Sequence, residues 1–94
     1  MRPIRLLCVG GHPADAFDSA GGTLARHVER GDHVTVMALT QGTRIHDVVI
    51  SDTLRFREQM PEPAELEALM AERAAVKEDE VRCACAFLAI TDVR

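Results

Sequence analysis

Apolar residues recur along this chain in more than one rhythm. Ile4–Val9 (IRLLCV) is an almost unbroken apolar run closed by Gly10-Gly11, the pattern of a buried parallel strand. From Phe17 the spacing changes. Phe17, Ala20, Gly21, Leu24 and Val28 fall at helical intervals and make one face of an amphipathic helix. Gly31 stands just past its end as a C′ residue, with Arg26, His27 and Arg30 near the negative pole of the dipole. His33–Thr40 (HVTVMALT) is rich in β-branched residues and reads as a second strand. Strand, helix and strand fit one right-handed βαβ unit.

Beyond Thr40 the pattern is broken. Gln41-Gly42-Thr43 reads as a turn, Val48–Ile50 as a short extra strand, and Ser51–Gln59 as one or two helical turns. Met60-Pro61-Glu62-Pro63 is a stiff break. The longest periodic segment follows, from about Ala64 to Leu88. Leu66, Leu69, Met70, Val81, Ala84, Phe87 and Leu88 form its apolar stripe, and Glu78/Arg82 is a favourable i, i+4 pair. Ile90–Arg94 reads as the approach to a third strand. The fold class is α/β: a Rossmann-like parallel sheet, present as an incomplete N-terminal βαβα portion of a larger domain. Two or three strands leave open edges and an uncovered face. The expectation is therefore that residues 1–94 are part of a longer domain, or that a second copy completes the sheet as a homo-oligomer.

Composition narrows the function. The chain has 94 residues and a net charge of −4, and the acidic excess lies in residues 51–94. No basic block is available to meet a phosphate backbone, so nucleic acid is not an expected partner. Aromatics are 3%, with no Trp or Tyr, which removes a stacking platform. No apolar run approaches the roughly 20 residues of a membrane span. Leu6–Val9 is too short for a signal-peptide core, and the expected location is cytoplasmic. Three cysteines cannot form a complete disulfide framework, and Cys83 and Cys85 are spaced to face different sides of a helix. Cys8, Cys83 and Cys85 are read as reduced, buried or half-buried thiols.

The chemistry concentrates in the loop after the first strand, where an open α/β sheet places its ligands. Gly10-Gly11-His12-Pro13-Ala14-Asp15-Ala16 holds neither a dinucleotide fingerprint nor a P-loop. It carries instead an imidazole and a carboxylate three residues apart, a donor pair suited to Zn²⁺ or another divalent metal. The plain alternative is that Asp15 or Asp18 caps the first helix and His12 is a polar loop residue.

The segment GGHPADAFDSAGGTLARHVERGDHVTVMALTQG resembles the opening of the PIG-L (LmbE-like) zinc-dependent N-deacetylases. Gly-Gly-His-Pro-x-Asp, Ala-Gly-Gly-Thr-Leu-Ala and Thr-x-Gly occur in the family's order, and VKEDEVRCACAFLAITDVR resembles its following helix and strand. The likeness covers residues 4–42 and 76–94, whereas 43–75 fit no pattern of the family. It implies a hydrolase that removes an N-acetyl group from an amino sugar or its conjugate, a small-molecule substrate. His12 and Asp15 fall on two metal ligands, and a third would come from a later His-x-x-His beyond Arg94.

Three departures bear on activity. Ala14 stands where the family has its general base, Ala16 replaces a following acid, and Lys77 stands at an Arg of the substrate pocket, while Glu80 is kept. Losing a general base costs typically about 10²–10⁴ in rate, so weak or no activity is expected of this chain. Asp18 is the substitute candidate for the catalytic base, and His46 for a catalytic acid or a metal ligand. Lys77 and Arg44 are the candidates for substrate binding, Arg44 because it follows the second strand at its carboxyl end. Thr40 and Gly42 shape the pocket floor, and His27 and His33 read as solvated at the opposite end. The rival reading is a non-catalytic sugar-binding module with a decayed metal site.

Overall fold

The computed structural model describes residues 2–43, 47–55 and 60–94. Strand β1 (Arg5–Gly10) runs parallel to β2 (His33–Ala38) in a register that sets Arg5 opposite His33 and Gly10 opposite Ala38. Helix α1 (Asp15–Glu29) joins them, and Gly31 closes it with φ +86°, the left-handed C′ residue expected there. Helix α2 (Val48–Leu54) and the long α3 (Pro63–Phe87) follow. Strand β3 (Asp92–Val93) returns beside β2, giving a three-stranded parallel sheet of order β1-β2-β3. Pro63 begins α3 because the first turn of a helix needs no amide donor from it. Ala89 ends that helix at φ 59°, a conformation that costs an L-residue about 1 kcal/mol.

One face of the sheet carries the core. Leu24 and Ala16 of α1 and Val81 and Cys85 of α3 pack on Val34 and Val36, with Ile90 beside them and Leu6, Cys8 and Val93 at the margin. Successive parallel strands added in one direction by right-handed crossovers put both helices on the same side. The other face stays open, with Leu7 55% and Val9 50% exposed. The apolar run of β1 thus forms a strand covered on one side, not the strand buried on both sides that its pattern suggested.

The remaining differences lie in the second half. Val48–Ile50 is helical, not a strand. Asp47 caps that helix by accepting from the Ile50 amide (3.1 Å), and Ile50 is fully buried in a helix that packs on α3. A good cap and a tertiary contact override the β preference of Val-Val-Ile. Phe87, expected in the buried stripe of α3, is 91% exposed, and Ala84 is exposed too. A 25-residue helix runs about 37 Å, well past strands of six residues, so Val81 and Cys85 alone are buried among the described positions of α3. The molecule is accordingly 60 × 19 × 18 Å, with a radius of gyration of 16.3 Å, against about 12 Å for a compact chain of this size. Cys85 is buried and Cys8 half-buried as expected, while Cys83 is exposed.

Candidate active site

The carboxyl ends of β1 and β2 meet through three bonds. The Leu39 amide donates to Gly10 O (2.9 Å), and the Thr40 amide and hydroxyl both donate to Gly11 O (3.1 and 2.7 Å). Thr40 therefore ties the second strand's loop to the Gly-Gly turn, and Gly42 follows at φ 67°. Gly10 is sterically required, since a Cβ there would stand 2.8 Å from Asp15 Cβ and 3.2 Å from His12 O. The turn folds back tightly enough to bring Asp15 under His12. Asp15 Oδ2 accepts from the His12 amide (2.8 Å) and lies 3.4 Å from His12 Nδ1.

Neither Asp15 nor Asp18 caps α1 through its side chain. The N-cap position is Ala14, and both acids lie in the first turn, where the dipole favours them. Asp15 turns backward onto the loop instead. His12 and Asp15 stay partly open, with side chains 29% and 40% exposed. Their 3.4 Å spacing is that of two donors on one tetrahedral zinc, since bonds of about 2.0–2.1 Å set donors about 3.4 Å apart. Among the described residues no third His, Cys, Asp or Glu joins them in a metal-sized group.

Beside this pair lies a cleft of about 230 Å³ between the loop and α3, lined by Pro13, Ala14, Phe17, Gln41, Lys77, Glu80, Val81 and Ala84. Its walls are mostly apolar, and Ala14 offers it a methyl group. Asp18 is exposed and lies outside the lining. Lys77 does reach the cleft, where its Nζ stands 3.5 Å from Glu80 Oε2 and 3.7 Å from Asp47 Oδ2. Arg44 and His46 lie outside the described residues.

Asp47 is the residue that sequence reasoning missed. Its side chain is 1% exposed and receives the Ile50 amide and Arg73 Nε (2.9 Å), with Lys77 behind. Burial works against its charge, but the Ile50 amide, Arg73 and Lys77 more than compensate and hold the carboxyl below its usual range. The available signal was Arg73/Lys77, two like charges one helical turn apart, an arrangement that is favourable when an anion sits between them.

His27 and His33, read as solvated, are each drawn onto a carboxylate. His27 Nδ1 lies 2.7 Å from Asp32 Oδ2, and His33 Nε2 lies 2.9 Å from Asp92 Oδ2. Asp92 also accepts from Arg94 and Thr35, and with His33 these bonds hold it far below the ordinary carboxylate range.

Residues 7–94 match the PIG-L family model, described as GlcNAc-PI de-N-acetylase. The chain is 36% identical to 1D-myo-inositol 2-acetamido-2-deoxy-alpha-D-glucopyranoside deacetylase 1 of Saccharopolyspora erythraea, with 98% of this chain and 27% of that protein covered. It is 38% identical to the like-named deacetylase of Actinosynnema mirum, covering 98% and 29%. Among solved structures, GalB, the 4-carboxy-2-hydroxymuconate hydratase of Pseudomonas putida KT2440, superposes with a TM-score of 0.70 at 26% identity, over 99% of this chain and 33% of that one. The chain thus spans under a third of the length of the curated relatives it matches.

Proposed function

We propose a function from one premise: the chain belongs to the PIG-L family. The reading is that residues 1–94 supply the N-terminal, metal-loop portion of a metal-dependent N-deacetylase acting on a small N-acetylated amino sugar or its conjugate. The observation that carries it is the His12 Nδ1–Asp15 Oδ2 pair, 3.4 Å apart and solvent-accessible at the carboxyl edge of the sheet, beside an apolar cleft. His12 and Asp15 would hold zinc or a similar divalent ion, with at least one further ligand from elsewhere. When bound, such an ion polarises an amide carbonyl and makes water nucleophilic near neutral pH.

This chain's own residues do the rest. Gly10 allows the turn that sets Asp15 against His12, and the Asp15 carboxylate fixes the loop by holding the His12 amide. Pro13, Phe17, Val81 and Ala84 give the cleft its apolar walls, and Lys77 with Glu80 offers a donor and an acceptor at its rim. Ala14 cannot take a proton, so hydrolysis by this chain is weak or absent. A cytoplasmic setting suits three thiols of which none is disulfide-bonded. The open sheet face suits either the rest of a longer domain or a second copy, and sedimentation of dilute and concentrated samples would reveal the second copy.

The test is zinc uptake by the purified chain and by His12→Ala. Binding lost with His12 supports the site, and uptake indifferent to the substitution removes it. The second reading, a binding module without turnover, is favoured by the Ala14 methyl in the cleft wall. Ala14→Asp in a full-length parent separates the two. A large gain in N-acetyl hydrolysis supports the enzyme, and an unchanged absence of turnover supports the module.

A further inference from the structure

The C-terminal end of α1 gathers cations that its own cap does not use. Thr23, Arg26, His27 and Arg30 fall on one face of the helix and border a shallow concavity of about 280 Å³. The last carbonyls are satisfied by backbone: those of Arg26, Val28 and His27 accept the amides of Arg30, Gly31 and Asp32 (3.1, 3.0 and 3.0 Å). Asp32, 1% exposed, supports two of the four side chains from beneath, its Oδ2 lying 2.7 Å from His27 Nδ1 and 3.4 Å from Arg30 Nε. His27, the Ile4 amide and Arg30 hold Asp32 ionised, so it only accepts, and His27 Nδ1 carries the proton. Among the described residues, His27 Nε2, the Thr23 hydroxyl and the Arg26 guanidinium are left without a partner. Arg26 and Arg30 also repeat the spacing of Arg73 and Lys77, like charges one turn apart. At the second pair the chain supplies Asp47 between them, whereas at the first Asp32 reaches Arg30 alone.

We propose that Thr23, Arg26, His27 and Arg30 form a binding site for a small soluble phosphate or phosphate monoester, with Asp32 as the positioning residue beneath it. The two guanidiniums meet phosphate oxygens through charge-assisted bonds, and the Thr23 hydroxyl donates to another. His27 Nε2 donates as an imidazolium, or accepts from a protonated phosphate oxygen when the ring is neutral. Because Asp32 fixes His27 and Arg30 before a ligand arrives, less side-chain freedom is lost on binding. A single phosphate group is the fit, not a lipid surface. The chain carries a net charge of −4, and a lipid surface is met by clusters of about 4–8 Lys and Arg. The proposal goes beyond the deacetylase reading and does not rest on it, since His12 and Asp15 stand at the N-terminal end of α1.

The experiment titrates the chain in EDTA with inorganic phosphate and with methyl phosphate, ionic strength being held constant by sodium chloride. NMR follows the Thr23 and His27 amides and the Nε–H signals of Arg26 and Arg30. Saturable shifts with a Kd on the order of 1 mM are expected for both ligands. Arg26→Gln, a change at an exposed position, should weaken binding about tenfold, and Arg26→Lys, which keeps the charge but loses the fork, by less. Asp32→Asn makes the chain more positive, yet it should weaken binding severalfold because His27 and Arg30 lose their support. Shifts that merely follow ionic strength overturn the proposal, as does an unchanged Kd in Arg26→Gln. Tighter binding in folded Asp32→Asn, the outcome of an unorganised patch of charge, overturns it too. Capture on vesicles of phosphatidic acid and phosphatidylcholine, with no response to the soluble phosphates, would assign the patch to a lipid surface instead.

Discussion

A histidine–aspartate pair stands at each end of α1, and the two pairs are built differently. At the N-terminal end, His12 and Asp15 are 3.4 Å apart at the nearest ring nitrogen, with side chains 29% and 40% exposed. At the C-terminal end, His27 and Asp32 are 2.7 Å apart, and the Asp32 side chain is 1% exposed. Asp32 also accepts from the Ile4 amide (2.9 Å) and has Arg30 at 3.4 Å. The His27 bond and the Ile4 amide, with Arg30, outweigh burial and hold its carboxyl below the ordinary value. The closed pair ties the end of α1 to the start of β1 and has little lone-pair capacity left. The open pair keeps its donor atoms within reach of solvent. The same two residue types thus serve as a clamp in one place and a candidate ligand set in the other.

Zinc affinity breaks or sharpens this contrast most strongly. His12→Ala should weaken it about a hundredfold or more, while His27→Ala leaves it within about twofold, as read by competition with a chromophoric chelator. Equal losses would erase the distinction between the pairs. Stability should behave in the opposite sense: Asp32→Ala is expected to lower Tm by more than about 5 °C, and Asp15→Ala by less than about 2 °C, in thermal melts followed by circular dichroism.

Gly10→Ala should cost about 1–3 kcal/mol in urea unfolding, because its Cβ would stand 2.8 Å from Asp15 Cβ, and it should weaken zinc binding as the loop shifts. Gly11→Ala, whose Cβ meets nothing nearer than Asp15 Oδ2 at 3.4 Å, should be milder. Beside the closed pair, Gly31→Ala meets no neighbour within 4 Å but must hold φ +86°, costing about 1 kcal/mol.

The smallest effect is on the acid limb. Because Asp32 is held below the ordinary 3.8 in the folded chain, the unfolded chain takes up its proton first. Its stabilisation is complete above that value and is lost as pH falls from there through the lower folded pKa. Asp32→Asn should flatten the limb only in part, since Asp47 and Asp92 are lowered too. An acid limb unchanged in Asp32→Asn would mean that the clamp is not electrostatic.

Much of this was legible in the residues. The runs at Ile4–Val9 and His33–Thr40, the stripe from Phe17 to Val28, and Gly31 announced a βαβ unit. Such signals are local: periodicity, turn chemistry and caps are written within a few residues of where they act. The family match over residues 7–94 accords with the resemblance carried by Gly-Gly-His-Pro-x-Asp and Ala-Gly-Gly-Thr-Leu-Ala. Other features were not local. Val48–Ile50 reads as strand until Asp47 is seen as its cap and α3 as its support. Phe87 reads as core until the length of α3 is laid against the short sheet.

The chain's local order thus determined the element types of the first 40 residues, the placement of the histidine loop at a strand's carboxyl end, and the charge excess of the second half. Tertiary structure alone decided which face of the sheet is covered, which aspartates became buried anchors, and that Lys77 meets the cleft already paired. The physical reason is distance along the chain. Asp47 finds Arg73 across 26 residues and His33 finds Asp92 across 59, and no periodicity encodes which partners folding will bring together at such separations.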